Sequence, residues 1–94
     1  MDLKKSYKLV ADKDEAFEKV TKVITPEYLA KFQVQTHIEC DKKNYRMTGK
    51  GKGFTLKFHF EKDHLAVGLE LAFLLKAFKS KILSAIEAEV DKVI

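Results

Sequence analysis

Three histidines are the side chains of this chain that are best suited to hold a metal ion. His37, His59 and His64 each occupy a polar position in a segment that alternates apolar and polar residues. Imidazole nitrogens, joined by a carboxylate, are ordinary ligands for Zn²⁺. The histidines fall on two separate hairpins, however, and no HxH or HExxH spacing occurs. We therefore predict no metal site, and the role of these outward-facing histidines stays open.

Nucleophilic catalysis needs a reactive side chain next to a base. Cys40 falls on the predicted core-facing side of a strand, where a small buried side chain is expected. The carboxylates of Glu87 and Glu89 lie near a helix end and are expected to be solvated. Three serines lack both a nucleophile elbow and a visible base: Ser6, Ser80 and Ser84. The sequence thus predicts no catalytic residue, no cofactor and a protein that is not an enzyme.

The glycine-rich run from Gly49 to Gly53 could cradle an anion. A Walker loop needs a lysine followed by serine or threonine at the start of a helix, whereas here a strand follows Gly53. The simpler prediction is a break in the sheet, where glycine permits a positive φ. Lys50 and Lys52 project beside exposed backbone N–H groups, so an anion site that includes Arg46 is a second hypothesis.

The composition is that of a single folded domain covering residues 1–94. Its 46% hydrophobic and 34% charged residues exclude a disordered chain. A lone cysteine excludes an internal disulfide and a CxxC metal site, and it fits a reducing cytoplasm. No run of eighteen apolar residues and no signal peptide are present. We therefore expect a cytoplasmic protein without a membrane span.

The net charge of +4 slightly favours anionic partners. Nucleic-acid modules concentrate such charge on one face and add aromatic side chains that stack on bases. Here the only aromatic residue near the basic cluster is Tyr45, which we place inside. That cluster consists of Lys42, Lys43, Arg46, Lys50 and Lys52. Nucleic acid is accordingly the least favoured partner.

Hydrophobic spacing predicts the elements of the first half. Residues 3–11 alternate and predict a strand, with Leu3, Tyr7 and Leu9 facing one way. Asp12 is typical of a helix N-cap, and Thr25 followed by Pro26 is typical of a second, short helical start. Alternation resumes from Gln33 to Cys40. A turn at 41–44 would then pair Cys40 with Tyr45, Ile38 with Met47 and Glu39 with Arg46.

A second hairpin follows from strict alternation between Phe54 and Leu71. A two-residue turn at Lys62 and Asp63 makes every inward pair apolar, and a slip of one residue would place all of them on the wrong face. The predicted pairs are Phe60 with Leu65, Phe58 with Val67, Leu56 with Leu69 and Phe54 with Leu71.

Residues 71–94 predict one long amphipathic helix. Its apolar stripe consists of Leu74, Phe78, Ile82, Ala85, Ile86, Val90 and Val93. Lysines near its start and carboxylates near its end oppose the helix macrodipole. A local rule broken without local benefit often marks function. The whole order, β-α-β-β-β-β-α, predicts an α+β fold with two layers, an antiparallel sheet packed on helices in a reduced helix-grip-like arrangement.

The segment Leu69 to Lys79, LELAFLLKAFK, is similar to a motif of the polyhydroxyalkanoic acid system family. These small bacterial proteins read Gly-x-x-Gly, a β-hairpin, then LEVxLGFLLxPFK and a helix in their C-terminal half. The likeness covers residues 45–94 well and the first half in outline. The chain differs at Ala72 and Ala77, where the family has glycine and proline, and at Leu83, where it often has glutamate.

The resemblance implies a non-catalytic accessory or regulatory protein that associates with polyhydroxyalkanoate granules or with a granule protein. The binding surface would combine apolar and basic residues, Phe73 and Leu75 with Lys76 and Lys79. An alternative is a carrier or sensor of a small apolar ligand, held between the sheet and the last helix. A weak nucleic-acid binder is the third hypothesis. Because the outer sheet face is polar, we expect a monomer or weak homodimer.

Overall fold

A five-stranded antiparallel sheet organises the computed structural model, which describes all residues from Met1 to Ile94. The strands lie in the order β1-β5-β4-β3-β2. Their bounds are β1 Leu3–Ser6, β2 Thr36–Asp41, β3 Arg46–Gly51, β4 Phe54–Phe60 and β5 His64–Leu71. The helices are α1 Lys13–Val23, α2 Pro26–Leu29 with a 3-10 turn Ala30–Phe32, and α3 Lys79–Asp91 after a 3-10 helix Phe73–Phe78. The predicted α+β fold class is confirmed.

One hydrophobic core fills the space between one face of the sheet and the helices. It contains eighteen buried apolar side chains and no buried charged one. The sheet supplies residues such as Leu56 and Phe58, and α3 supplies Ile82, Ile86 and Val90. Burial of each large side chain stabilises the fold by roughly 1.5–3 kcal/mol. None of the helices combines the length and the apolar character that crossing a membrane requires.

The hairpin of β4 and β5 has the predicted register. Phe60 pairs with Leu65 and Phe54 with Leu71, and the amide of Glu61 donates to the carbonyl of His64 at 2.8 Å. The strand pattern alternates between buried and half-buried along all of β4. The apolar alternation therefore fixed this register, because any slip would expose the phenylalanines.

The predicted register of β2 on β3 is wrong by two positions. Cys40 lies opposite Met47, and Asp41 lies opposite Arg46. The turn includes Tyr45, whose backbone takes a left-handed φ of 55° and whose hydroxyl donates to Asp14 at 2.6 Å. Tyr45 thus leaves the strand to contact α1. Cys40 lies on the predicted face, but β2 is the edge strand, so this cysteine is exposed and not buried.

The glycine run does not break the sheet where it was predicted to. β3 continues through Gly51, which pairs with Phe54. A Cβ on Gly51 would lie 2.6 Å from the carbonyl oxygen of Gln35, so close packing requires glycine there. Only Gly53 has the positive φ expected of a turn, at 72°.

The predicted first strand ends early. β1 stops at Ser6, because the amides of Lys8 and Leu9 both donate to the carbonyl of Ile94 at 2.6 Å. The Leu9 side chain is 64% exposed, so it does not share a face with Leu3 and Tyr7 as predicted. Tyr7 does pack against the core, and its hydroxyl donates to the carbonyl of Glu61 at 2.7 Å.

Three of the charges that oppose the macrodipole of the last helix, Lys79, Glu87 and Asp91, pair with residues near the N-terminus. The ammonium of Lys5 on β1 lies 2.9 Å from Glu87 and 3.2 Å from Asp91 of α3. Lys79 at the start of α3 lies 3.0 Å from Asp2. The hydrogen bond to Glu87 is the largest cause that raises the pKa of Lys5. These pairs therefore join residues 2–5 to both ends of α3, whereas Lys76 and Lys81 have no ion-pair partner.

Candidate functional site

A short apolar segment, Ala72–Phe78, is the most exposed hydrophobic part of the molecule. The exposed fractions are 84% for Phe73, 85% for Leu74 and 53% for Phe78. The prediction of one continuous helix is wrong here, since a 3-10 helix covers Phe73–Phe78 and α3 begins only at Lys79. Leu74 and Phe78 consequently lie outside the core that they were predicted to join. Clustered exposed apolar side chains of this kind mark interaction surfaces.

Backbone contacts hold the segment in place. The amide of Ala72 donates to the carbonyl of Gly53 at 2.9 Å, and the amide of Leu75 donates to the carbonyl of Ala72 at 2.8 Å. The Leu75 side chain is half-buried and lies over Gly53, where a Cβ would be 3.6 Å from it. The segment is therefore a fixed feature that presents its remaining apolar side chains to solvent.

The four residues predicted to form the binding surface have different roles. Phe73 and Lys76 are exposed, as a binding surface requires. Leu75 faces inward and anchors the segment. Lys79 is half-buried and is paired with Asp2, whose carboxylate also accepts a hydrogen bond from the amide of Leu69 at 2.8 Å. That backbone hydrogen bond, followed by the one to Lys79, lowers the pKa of Asp2.

Two open depressions flank the segment at the end of β5. The larger, about 450 Å³, is lined by Leu69, Glu70, Leu71, Lys76 and Lys79. The smaller, about 290 Å³, is lined by Gly51, Gly53, Phe54, Thr55, Glu70, Leu71 and Ala72. Both lie at the surface and share Glu70 and Leu71. They extend the exposed surface and do not form a chamber beneath α3.

The predicted anion site does not assemble as one cluster. Arg46 and Lys50 lie four positions apart on β3, roughly 13 Å along the strand. Arg46 is instead 3.4 Å from Glu61. Lys52 occupies the turn next to Gly53, and this turn contacts Ala72. The structure therefore joins Lys52 to the apolar segment, a connection that the sequence did not indicate.

Free lysines surround the apolar segment. Lys52, Lys76 and Lys81 are all exposed, and none of them has an ion-pair partner. Lys81 lies one helical turn after Phe78, and residues three apart on a helix are neighbours. The resulting surface has an apolar centre and a positive rim. We call it the Phe73 surface, made of Ala72, Phe73, Leu74, Lys76, Ala77 and Phe78 with Lys52 and Lys81.

The basic cluster considered for nucleic acid is partly neutralised. Lys42 lies 3.2 Å from Asp14, and its ammonium is 5.0 Å from the centre of the Phe17 ring. Tyr45 packs edge-on against the same ring, with the centres 6.4 Å apart. These cations and the tyrosine therefore attach the β2–β3 turn to α1, and no aromatic face is presented beside them for a base.

His59 and His64 are diagonal neighbours on β4 and β5, whereas His37 lies on β2, two strands away from β4. His64 is 2.7 Å from Asp63, and His37 is 3.7 Å from Glu39, whereas His59 lies opposite Arg46. No group of three histidine, cysteine, aspartate or glutamate side chains could hold a metal ion. Burial is the first cause that lowers the pKa of His59, and the nearby charge of Arg46 adds to it. His59 is therefore predominantly neutral at pH 7.

Comparison with known proteins places the chain in a family. A family model described as "Putative polyhydroxyalkanoic acid system protein" matches residues 5–94. Comparisons with curated proteins and with solved structures gave no match. The matched range includes the end of β1 and all of α1, beyond the C-terminal half in which the sequence resemblance was best. Because the match extends over nearly the whole chain, this protein belongs to the polyhydroxyalkanoic acid system family.

Proposed function

We propose that this protein is a non-catalytic accessory protein of the polyhydroxyalkanoate system that attaches to the granule through the Phe73 surface. The observation that supports this proposal most directly is the exposure of Phe73, Leu74 and Phe78 within a segment whose backbone is fixed by hydrogen bonds. Family membership supplies the polymer system, and the surface supplies the mode of attachment. In this proposal the protein works in the cytoplasm, at the boundary between polymer and water.

The apolar part of the surface supplies the binding energy. Full burial of one large apolar side chain is worth about 1.5–3 kcal/mol, so three such side chains suffice for reversible attachment. The backbone bonds of Ala72 and Leu75 hold the segment before it meets the granule. Little ordering is therefore required on binding, and ordering is a major cost of association.

The lysines complement this apolar centre. A polyester exposes ester carbonyl oxygens, which accept hydrogen bonds from ammonium groups. Lys52, Lys76 and Lys81 can keep their ammonium groups at the polar boundary while their methylene chains contact apolar material. A mixed surface of this kind fits a granule better than a purely aqueous partner.

Leu74→Glu tests the proposal. Leu74 is 85% exposed, so the substitution should leave the fold intact, whereas it introduces a charge into the proposed contact. We expect the variant to move from the granule fraction to the soluble fraction in a sedimentation assay with isolated granules. Leu9→Glu is the matched control, because Leu9 is 64% exposed but lies beside the C-terminus at Ile94, at the opposite end of α3.

The assay separates the two forms of attachment. Binding to particles of the purified polyester would identify the polymer itself as the partner, and binding only to native granules would identify a granule protein. Equal sedimentation of wild type, Leu74→Glu and Leu9→Glu would overturn the role of the Phe73 surface. A correctly folded wild type that stays soluble in both assays would overturn granule attachment.

The other functions considered from the sequence gain no support from a specific observation. The space between sheet and α3 is filled by core side chains, with Phe54 and Phe58 at most 2% exposed. A carrier would need a chamber there. A nucleic-acid binder would need free cations with exposed aromatic rings, and two of the predicted cations, Lys42 and Arg46, have carboxylate partners.

A further inference from the structure

The sheet has two edges, and only one of them is protected. β2 spans six residues at one edge, and its backbone makes no hydrogen bonds outside its pairing with β3. An edge of this length presents a row of free N–H and C=O groups that can pair with another strand. The opposite edge is β1, which spans only four residues.

Charge distinguishes the two edges further. β1 contains Lys4 and Lys5, and the side chain of Lys5 turns toward α3 to pair with Glu87. Lysines, and charges that point inward, are devices that prevent edge strands from pairing. β2 contains neither lysine nor proline, and half-buried Ile38 lies near its middle. β2 thus lacks the lysines and the inward-pointing charge of β1, and its charged residues are Glu39 and Asp41.

The sequence of β2 is complementary to itself in one antiparallel register. When Ile38 lies opposite Ile38 of a second copy, His37 lies opposite Glu39, and this pair occurs twice because of the two-fold symmetry. The side chains of His37 and Glu39 are 77% and 63% exposed, and the 3.7 Å contact between them within one chain lies at the surface, so a partner strand can reach both. Centring the pair on Glu39 or on His37 would instead set each of these residues against its own copy, which is unfavourable for glutamate.

We propose that two copies of this chain pair through β2 in the register centred on Ile38, to form a continuous ten-stranded sheet. The partner is a second copy, because in this register the imidazole of His37 lies opposite the carboxylate of Glu39 in both directions and can donate a hydrogen bond to it. The contact is small, a single strand on each side, so the dimer is weak and forms as concentration rises. The apolar segment Ala72–Phe78 follows β5, three strands away from β2, so it stays exposed in the dimer.

A disulfide between copies tests both the edge and the register. In this register Thr36 lies opposite Cys40 of the second copy, and opposed Cα atoms in an antiparallel pair are 4.5–5.5 Å apart, within disulfide range. Thr36→Cys should therefore give a covalent dimer on mild oxidation, detected on a non-reducing gel and reversed by reductant. Within one chain the two cysteines would be roughly 13 Å apart, too far to bond. The substitution also removes a buried hydroxyl that has no hydrogen-bond partner, so the fold should tolerate it.

Two controls make the result decisive. Wild type carries Cys40 alone, and in this register Cys40 and its copy are four positions out of alignment, so wild type should stay monomeric on the gel. Gln35→Cys places its thiol on the opposite face of the sheet from Cys40 and should also stay monomeric. A monomeric Thr36→Cys, or equally fast crosslinking of wild type, would overturn the proposal.

A charge exchange supplies a second measurement without cysteine chemistry. Glu39→Lys replaces both cross-strand pairs and should weaken self-association about fivefold in sedimentation equilibrium. Adding His37→Glu places opposite charges across both pairs and should restore association. Glu18→Lys on α1, an exposed residue with the same change in charge, should have no effect. Equal association of all four proteins would contradict pairing through β2.

Discussion

The β4–β5 hairpin and the apolar segment Ala72–Phe78 are built from the same residue types and have opposite fates. In the hairpin Phe54 and Phe58 are at most 2% exposed, and in the segment Phe73 is 84% exposed. Both stretches would score as core on hydrophobicity alone. The difference lies in the backbone, since a strand directs alternate side chains to one face whereas a 3-10 helix distributes them around an axis. Exposure against expectation, rather than apolar composition, is therefore what identifies a candidate surface in this family.

A pair of alanine substitutions gives the largest contrast between the two regions. Phe58→Ala should lower the free energy of unfolding by about 3–5 kcal/mol, because it leaves a cavity beneath fully packed neighbours. Phe73→Ala removes the same aromatic ring from a solvent-exposed position. It should change the free energy of unfolding by less than about 0.5 kcal/mol. Urea unfolding followed by circular dichroism measures both. A loss above about 2 kcal/mol for Phe73→Ala would show that the segment belongs to the core.

Gly53→Ala, at the junction between the two regions, should lower the free energy of unfolding by less than Phe58→Ala and by more than Phe73→Ala. The φ of Gly53 is 72°, and an added Cβ would lie 2.9 Å from the Cβ of Ala72. We expect a loss of roughly 1–2 kcal/mol, since an L side chain is strained in this conformation. Gly68→Ala is the control, because the atom that its Cβ would meet first, at 2.8 Å, is the sulfur of the exposed Met1, which can move. Equal losses for both variants would mean that the Gly53 turn does not constrain the segment.

Asp2→Asn should have the smallest effect, and the effect should depend on pH. The folded-state pKa of Asp2 is lowered, chiefly by the amide of Leu69 and then by Lys79. A lowered pKa means that the carboxylate contributes stability above its unfolded value of 3.8, and the contribution is lost as pH falls below that value. At pH 7 the variant should be less stable by under about 1 kcal/mol, because the pair is near the surface.

Thermal unfolding of wild type and Asp2→Asn across pH 2 to 7 measures this difference. The two curves should converge at the acidic end, and Lys79→Met should show the same convergence to a smaller extent. A gap that persists unchanged at low pH would mean that Asp2 acts by packing and not by charge.

Several features could be predicted from sequence because short-range chemistry decides them. Asp12 caps α1, with its carboxylate accepting from the amide of Glu15 at 3.0 Å, and the hydroxyl of Thr25 accepts from the amide of Tyr28 at 3.1 Å. The β4–β5 register follows from strict alternation. In the candidate site, the exposure of Phe73 and Lys76 was anticipated. Leu74 and Phe78 were predicted for the apolar stripe and Lys52 for an anion site, because their actual positions depend on the contact of Ala72 with Gly53.

The sequence by itself determined the family, the α+β class and the hairpin whose every inward pair is apolar. Tertiary structure alone decided the register of β2, where Tyr45 leaves the strand to reach Asp14, and the continuity of β3 through Gly51. It also decided that Lys5 forms ion pairs with Glu87 and Asp91, and that the apolar segment Ala72–Phe78 is exposed to solvent. The physical reason is one of range. Alternation and caps act between residues close in the chain, whereas these features arise from contacts between elements that no local pattern encodes.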